Sequence, residues 1–146
     1  MITKQLKDDI TNWLKKRDFF SNVDVIGQDK GNVLAEVEQA ISKLGLCVVV
    51  EVTGGDVKYP DVGAGAVDVK ITFTITENVM INRADGGTGK TADDALDEIL
   101  VAFNPLNGMA LPCLCKTWRL VNDTDGLLAY QIDATSQAGW KEKGSA

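Results

Sequence analysis

VDVKITFTITE, residues Val67 to Glu77, is the cleanest alternating stretch in the chain. Val67, Val69, Ile71, Phe73 and Ile75 fall on one side of an extended backbone. Asp68, Lys70, Thr72, Thr74 and Thr76 fall on the other. A strand with one apolar and one wet face belongs in an antiparallel sheet, because strands of a parallel sheet are covered on both faces and read as continuous apolar runs. This stretch therefore sets the fold class as α+β, a single mostly antiparallel sheet with helices packed on one face.

Upstream lies GGDVKYPDVGAGA, Gly54 to Ala66, whose four glycines and Pro60 read as the longest loop of the chain. Loops of this length are uncommon unless they have work to do. Before it, LCVVVEVT (Leu46 to Thr53) is apolar on both faces and reads as a central strand. Val33 to Leu44 reads as a helix with Leu34, Val37, Ile41 and Leu44 inward and Gly45 as its stop. Val23 to Ile26 reads as a short strand. Thr3 to Arg17 reads as a helix with Thr3 as N-cap and a stripe of Leu6, Ile10, Trp13 and Leu14.

Downstream, Val79 to Arg83 reads as a continuation of the strand past a kink near Asn78. Ala92 to Phe103 reads as a helix with Ala95, Leu96, Ile99, Leu100 and Phe103 inward, ended by Asn104-Pro105. Leu111 to Val121 and Leu127 to Thr135 read as a hairpin joined by NDTDG. The expected organisation is one domain over 1–138 and a flexible polar tail over 139–146.

One motif opposes the reading of a non-catalytic domain. Ala84 to Thr91, ADGGTGKT, fits the loose form of a phosphate-binding loop, in which Lys90 would reach the outer phosphates and Thr91 would hold Mg²⁺. Three features count against it. Thr91 followed by Asp94 is the Thr-x-x-acid signature of a helix N-cap, which places Thr91 outside the helix. Asp93 and Asp94 occupy the helix N-terminus and would repel an anion. The strand leading in has a wet face. Lys90 and Thr91 remain the residues of the alternative, a nucleotide-binding protein.

The chain has 146 residues, 45% hydrophobic, enough for one domain with a real core. It has no run of about 18 apolar residues, so no membrane helix is expected. MITKQLKDDITNW at the start reads as an amphipathic helix rather than a leader, which points to the cytoplasm. A net charge of −6 argues against sequence-specific nucleic-acid binding through a basic surface. There is no histidine, so Ser-His-Asp, Cys-His and His-ligated zinc chemistry are excluded. Cys47, Cys113 and Cys115 lack CxxC spacing and read as buried thiols, with Cys113 and Cys115 facing one side of a strand. No catalytic residue, cofactor or metal is expected.

In its order of elements the chain resembles the tail-terminator and tail-completion (neck) proteins of tailed bacteriophages. The resemblance rests on the amphipathic LKDDITNWLKKR, the apolar CVVVEVT, the glycine-rich GGDVKYPDVGAGA, the alternating VDVKITFTITE, the helix TADDALDEILVAF and the closing LLAYQIDAT. It implies a virion structural protein with no catalytic residues. Such a protein forms a homo-oligomeric ring, usually a hexamer, that caps the tail tube protein and meets the head connector. The Gly-Lys-Thr signature is a departure from that pattern. On this reading the partners are copies of itself, the tube protein and the connector, with no membrane. The particle is put together in the host cytoplasm. Tyr59, Val62 and Arg83 are the expected interface residues, and the loops Gly54 to Ala66 and Asp85 to Lys90 are expected to be mobile until neighbours order them. An adaptor domain outside viruses remains a further alternative.

Overall fold

The computed structural model describes residues 2–27, 33–61, 63–103 and 113–141. In chain order they form α1 (Ile2–Lys15), a 3₁₀ turn (Asp18–Asn22), β1 (Asp24–Gly27), α2 (Val33–Lys43), β2 (Leu46–Asp61), β3 (Ala64–Asn78), α3 (Val79–Asn82), α4 (Ala92–Ala102), β4 (Cys113–Thr124) and β5 (Leu127–Lys141). The strands make one sheet in the order β1-β2-β3-β5-β4. Only the β1–β2 pair is parallel, and the other three are antiparallel. The α+β class with one mostly antiparallel sheet holds. No helix among the described residues is long and apolar enough to cross a membrane.

The alternation of β3 is kept. Val69, Ile71, Phe73 and Ile75 are buried in the core, and Lys70 on the other parity is exposed. Leu6, Ile10 and Leu14 recur every fourth residue on α1 and bury one stripe against the same side. Full burial of each such side chain contributes about 1.5–3 kcal/mol. Ala95, Leu96 and Ile99 of α4, with Phe103 behind them, complete the cluster, and Phe103 stacks on Phe73 at 5.1 Å. The helix α1 begins at Ile2, so Thr3 lies inside it rather than capping it.

The helix α2 refines the layer arrangement. Cys47 and Val49 alternate with Leu46, Val48 and Val50, and are buried apart from the main cluster. The helix α2 contacts β1, β2 and β3, and its buried residue is Ala40. It therefore lies across the back of the sheet at the β1–β2 end, while α1 and α4 occupy the core face. The expected inward residues Val37, Ile41 and Leu44 are only half-buried. The side chain of Leu34 lies outside the described residues.

The largest correction concerns Gly54 to Ala66. This stretch is not a loop across its described part. It continues β2 and opens β3, with Gly54 opposite Lys70, Asp56 opposite Asp68 and Val57 opposite Val67. β5 pairs along the other side of β3 as far as Ala64 opposite Lys141. Two irregularities replace the expected loop. A bulge between Val52 and Gly54 skips Thr53, and the register slips again between Lys58 and Asp61, around a proline that has no N–H to give a ladder. Gly55 permits the first: a Cβ there would stand 2.0 Å from the carbonyl oxygen of Asp68. The glycines thus allow close strand approach rather than a free loop.

Three further boundaries move. Val79–Asn82 is a helical turn, not strand, because the Asn78 side chain accepts a hydrogen bond from the N–H of Ile81 and caps it. β5 runs through Lys141, three residues into the stretch read as tail, and β4 runs to Thr124. The hairpin loop shrinks to Asp125-Gly126, both at positive φ (56° and 77°), which is the type I′ geometry that matches strand twist. Asn104, Pro105, Leu111 and residues 142–146 lie outside the described residues.

Candidate functional site

The connection from β3 to α4, Asn78 to Ala92, carries the Gly-Lys-Thr motif. It is built around a carboxylate that the core would otherwise exclude. Glu77, the last residue but one of β3, lies on the core-facing parity and is 0% exposed. Asn82 Nδ2 donates to Glu77 Oε2 at 2.6 Å, Arg83 Nε to the same oxygen at 3.1 Å, Arg83 Nη2 to Oε1 at 3.2 Å, and the backbone N–H of Ala92 to Oε1 at 3.0 Å. Burial pushes the Glu77 carboxyl up. The hydrogen bonds from Arg83, Asn82 and Ala92 outweigh that push and hold it below the usual carboxylate range.

Asn82 extends the network into the glycine-rich segment. Its Oδ1 accepts from the Thr88 hydroxyl and its Nδ2 also donates to the carbonyl of Lys90. The N–H of Lys90 donates to Thr88 Oγ1 at 3.1 Å. Gly87 sits directly on this turn, where a Cβ would stand 2.0 Å from the Asn82 carbonyl oxygen. Segment 84–90 is thus folded back on α3 by side-chain bonds of its own.

Lys90 is not a solvated charge. Its ammonium donates to the Phe19 carbonyl and, at 2.6 Å, to Asn22 Oδ1, and it lies 4.9 Å from the centre of the Phe19 ring. Asn22 Nδ2 answers by donating to the Thr88 carbonyl at 3.0 Å. Lys90 therefore pins the 3₁₀ turn to the glycine-rich segment. Thr91 is the N-cap of α4, with a full capping box: the N–H of Asp94 donates to Thr91 Oγ1 at 3.2 Å and the N–H of Thr91 to Asp94 Oδ2 at 3.0 Å. Asp93 accepts from the Tyr130 hydroxyl at 2.6 Å, which together with burial pushes that phenol up to about 12. The lysine is turned into the protein, the threonine is spent on a cap, and two carboxylates occupy the helix N-terminus.

These contacts make Lys90 a structural residue. Lys90→Ala is expected to cost about 1–2 kcal/mol through the lost charged hydrogen bonds. Thr91→Ala is expected to cost about 1 kcal/mol through the lost cap. Urea melts of the two variants measure both. A Lys90→Ala midpoint equal to the wild type would show the ammonium contacts to be unimportant.

The expected interface residues do not form one site. Tyr59 is on β2 near the far end of the β2–β3 hairpin and is 76% exposed. Arg83 follows β3 at its opposite end, with its guanidinium on Glu77. Val62 lies outside the described residues. Of the exposed apolar groups, Met80 lies on α3 and Val101 on α4, and the other five lie on strands of the sheet. These five are Val57 and Tyr59 on the hairpin extension of β2, and Trp118, Leu120 and Val121 on β4. The spacing of these residues was visible in the sequence. Their exposure was not, since it depends on which strand ends at the edge. Cys113 and Cys115 do share the core side of β4, and burial pushes their thiols up to about 12 and about 11. Cys47 is likewise buried and held near 12. All three are free, and burial favours their protonated, weakly nucleophilic form. Comparison with protein-family models and with curated proteins finds no match.

Proposed function

We propose that the protein is a structural component of a phage or phage-like tail, forming a homo-oligomeric ring that ends the tail tube and joins it to the head connector. The observation that carries this reading is the exposed apolar group on the edge strand β4, Trp118, Leu120 and Val121 at 44–54% exposure, with Val57 and Tyr59 separately exposed on the hairpin extension. Neighbouring apolar groups exposed on an edge strand suit a surface that meets another protein. The resemblance in element order supplies the kind of assembly, and a six-fold ring with its partners in the virion, put together in the host cytoplasm, is the form it suggests. Nucleotide binding draws no support from the geometry, since Lys90 and Thr91 are engaged within the chain.

Light scattering on the isolated protein and mass measurement on assembled tails test the proposal. The expected result is a species several times the 15.7 kDa monomer, at least within the tail. A chain that is monomeric both free and in the tail would sink it. Isothermal titration with Mg-ATP is expected to show no heat of binding, and micromolar binding abolished by Lys90→Ala would restore the nucleotide reading.

A further inference from the structure

The sheet is open at both ends among the described residues, with β4 at one edge and β1 at the other. Each edge offers unpaired backbone donors and acceptors, a liability that proteins cover, blunt or use. β1 is only four residues long and β4 carries two register irregularities, but no described strand pairs with either edge. β4 is twelve residues long and presents Trp118, 54% exposed, and Leu120, 48% exposed. β1 forms the floor of a groove of about 540 Å³. One wall is Lys15, Phe20, Ser21 and Val23 from α1, the 3₁₀ turn and the residue after it, and the other is Glu36, Gln39, Ala40 and Lys43 of α2. A strand edge lying between two helical walls is the form of site that accepts an added strand.

We infer that copies of this chain join head to tail, β4 of one adding to the β1 edge of the next, so that one sheet runs on through the ring. The inference rests on the ring reading above and names its subunit contact.

Strand directions allow it. β1 and β2 run one way, β3 the other, β5 back and β4 opposite again, so β4 is antiparallel to β1 within one chain. Copies related by a rotation axis along the strands then bring β4 antiparallel to the next β1 with their core faces on the same side. Contacts of this heterologous kind close into rings when the rotation closes.

Face chemistry agrees. The register places Leu120, Tyr130, Ile75, Val48 and Val25 in one row across the sheet, on the core face. Trp118 shares that face and touches Tyr130, with ring centres 6.0 Å apart. Across the junction these groups lie over Phe20 and Val23, which are 3% and 6% exposed, flanked by the exposed Lys15 and Ser21. The next row is Arg119, Gln131, Thr74, Val49 and Ile26, on the back. There Arg119 meets Asp24 and Glu36, with Lys43 the only cation of that wall. Arg119 already holds Asp133 at 2.6 Å, so it arrives pre-oriented. The edge cation thus faces the two groove acids, and the apolar edge groups close over what little of Phe20 and Val23 is uncovered.

The test uses variants blocked at opposite edges. Leu120→Lys places a charge on the β4 face. Gln39→Trp fills the β1 groove from an exposed position on α2. Trp118→Lys and Ser21→Trp repeat each block at a second position, and far-UV circular dichroism confirms folding. Wild type at ~0.1 mM, a concentration at which even a micromolar contact is saturated, is expected to exceed the monomer mass. Each blocked variant alone is expected to run as monomer. A one-to-one mixture of Leu120→Lys and Gln39→Trp keeps one good junction and is expected to give a species of twice the monomer mass and nothing larger. A Gln39→Trp protein that still dimerises while Leu120→Lys does not would mean β4 pairs with β4, and the inference fails. Blocked variants that keep the wild-type mass also overturn it while leaving a ring built by other contacts intact. A wild type that stays monomeric overturns it too, and the ring reading then falls only if the assembled tail also holds single copies.

Discussion

Glu77→Ala is expected to destabilise the protein by about 3–4 kcal/mol, more than any other single change in the β3–α4 connection. Removing one partner of a buried ion pair leaves the rest uncompensated, at about 3–5 kcal/mol in the general case. Here Arg83 is 47% exposed and can turn to water, which lowers the figure. The buried N–H of Ala92 and one N–H of Asn82 lose their acceptor, and each unsatisfied group costs about 1–3 kcal/mol. For a domain of this size, with about 2–4 °C per kcal/mol, the melting point should fall by about 10 °C. Glu77→Gln keeps an acceptor oxygen and should lose about half as much. Arg83→Ala should lose least, because that side chain is half in water. Calorimetry of the three variants checks the order. An Arg83→Ala loss as large as that of Glu77→Ala would mean that the ion pair, and not the backbone and amide bonds, holds the connection.

The same site gives acid stability a direction. In the unfolded chain Glu77 binds its proton near the ordinary glutamate value of about 4.3, and in the folded chain it does so lower, held down by Arg83, Asn82 and Ala92. Its stabilisation is therefore complete above the ordinary value and is lost as pH falls through the lower, folded one. The stability gap between wild type and Glu77→Ala should be full at pH 7 and narrow below about pH 4. A gap that stays constant to pH 3 would place the effect in packing rather than charge.

Glu77 also shows how far the sequence could be read. It lies on the same parity as Val69, Ile71, Phe73 and Ile75, so a carboxylate at a core position was visible as an anomaly in an otherwise regular strand. What it bonds to was not visible, because Asn82, Arg83 and Ala92 reach it only after Asn78 has capped a helical turn in place of further strand. The Thr91 cap was legible because a capping box is local, set by residues three apart. Lys90 was not, since its partners Phe19 and Asn22 come from a 3₁₀ turn some seventy residues away. The antiparallel sheet was legible from β3 alone. The two open edges were not, because strand order is a property of pairing and no strand's own pattern states which side lacks a neighbour.

The hairpin extension yields the second large effect. Gly55→Val is expected to cost about 2–4 kcal/mol, combining overpacking with backbone strain. Gly55 lies opposite Val69, which is 0% exposed, and a Cβ at Gly55 meets the Asp68 carbonyl oxygen at 2.0 Å, with the Val69 Cα at 3.2 Å behind it. Backbone cannot move aside as a flexible side chain does. Its φ of 156° adds to the strain for any residue with a side chain. To relieve the clash β2 must lift off β3 beyond the bulge. Gly54 is the internal control: its φ of 159° carries the same backbone strain but nothing lies within 4 Å of a Cβ there, so Gly54→Ala should show the strain without the clash, about 1 kcal/mol. Hydrogen exchange then locates the damage, because opening can be confined to part of a sheet. In the wild type the amides of β3 from Ala66 to Lys70, laddered on both sides by β2 and β5, should exchange slowly even in the free subunit. In Gly55→Val they should exchange quickly while Val48 to Val50 stay protected. A free glycine-rich loop would instead leave Gly55→Val within about 0.5 kcal/mol of wild type and residues 54–58 unprotected in both proteins.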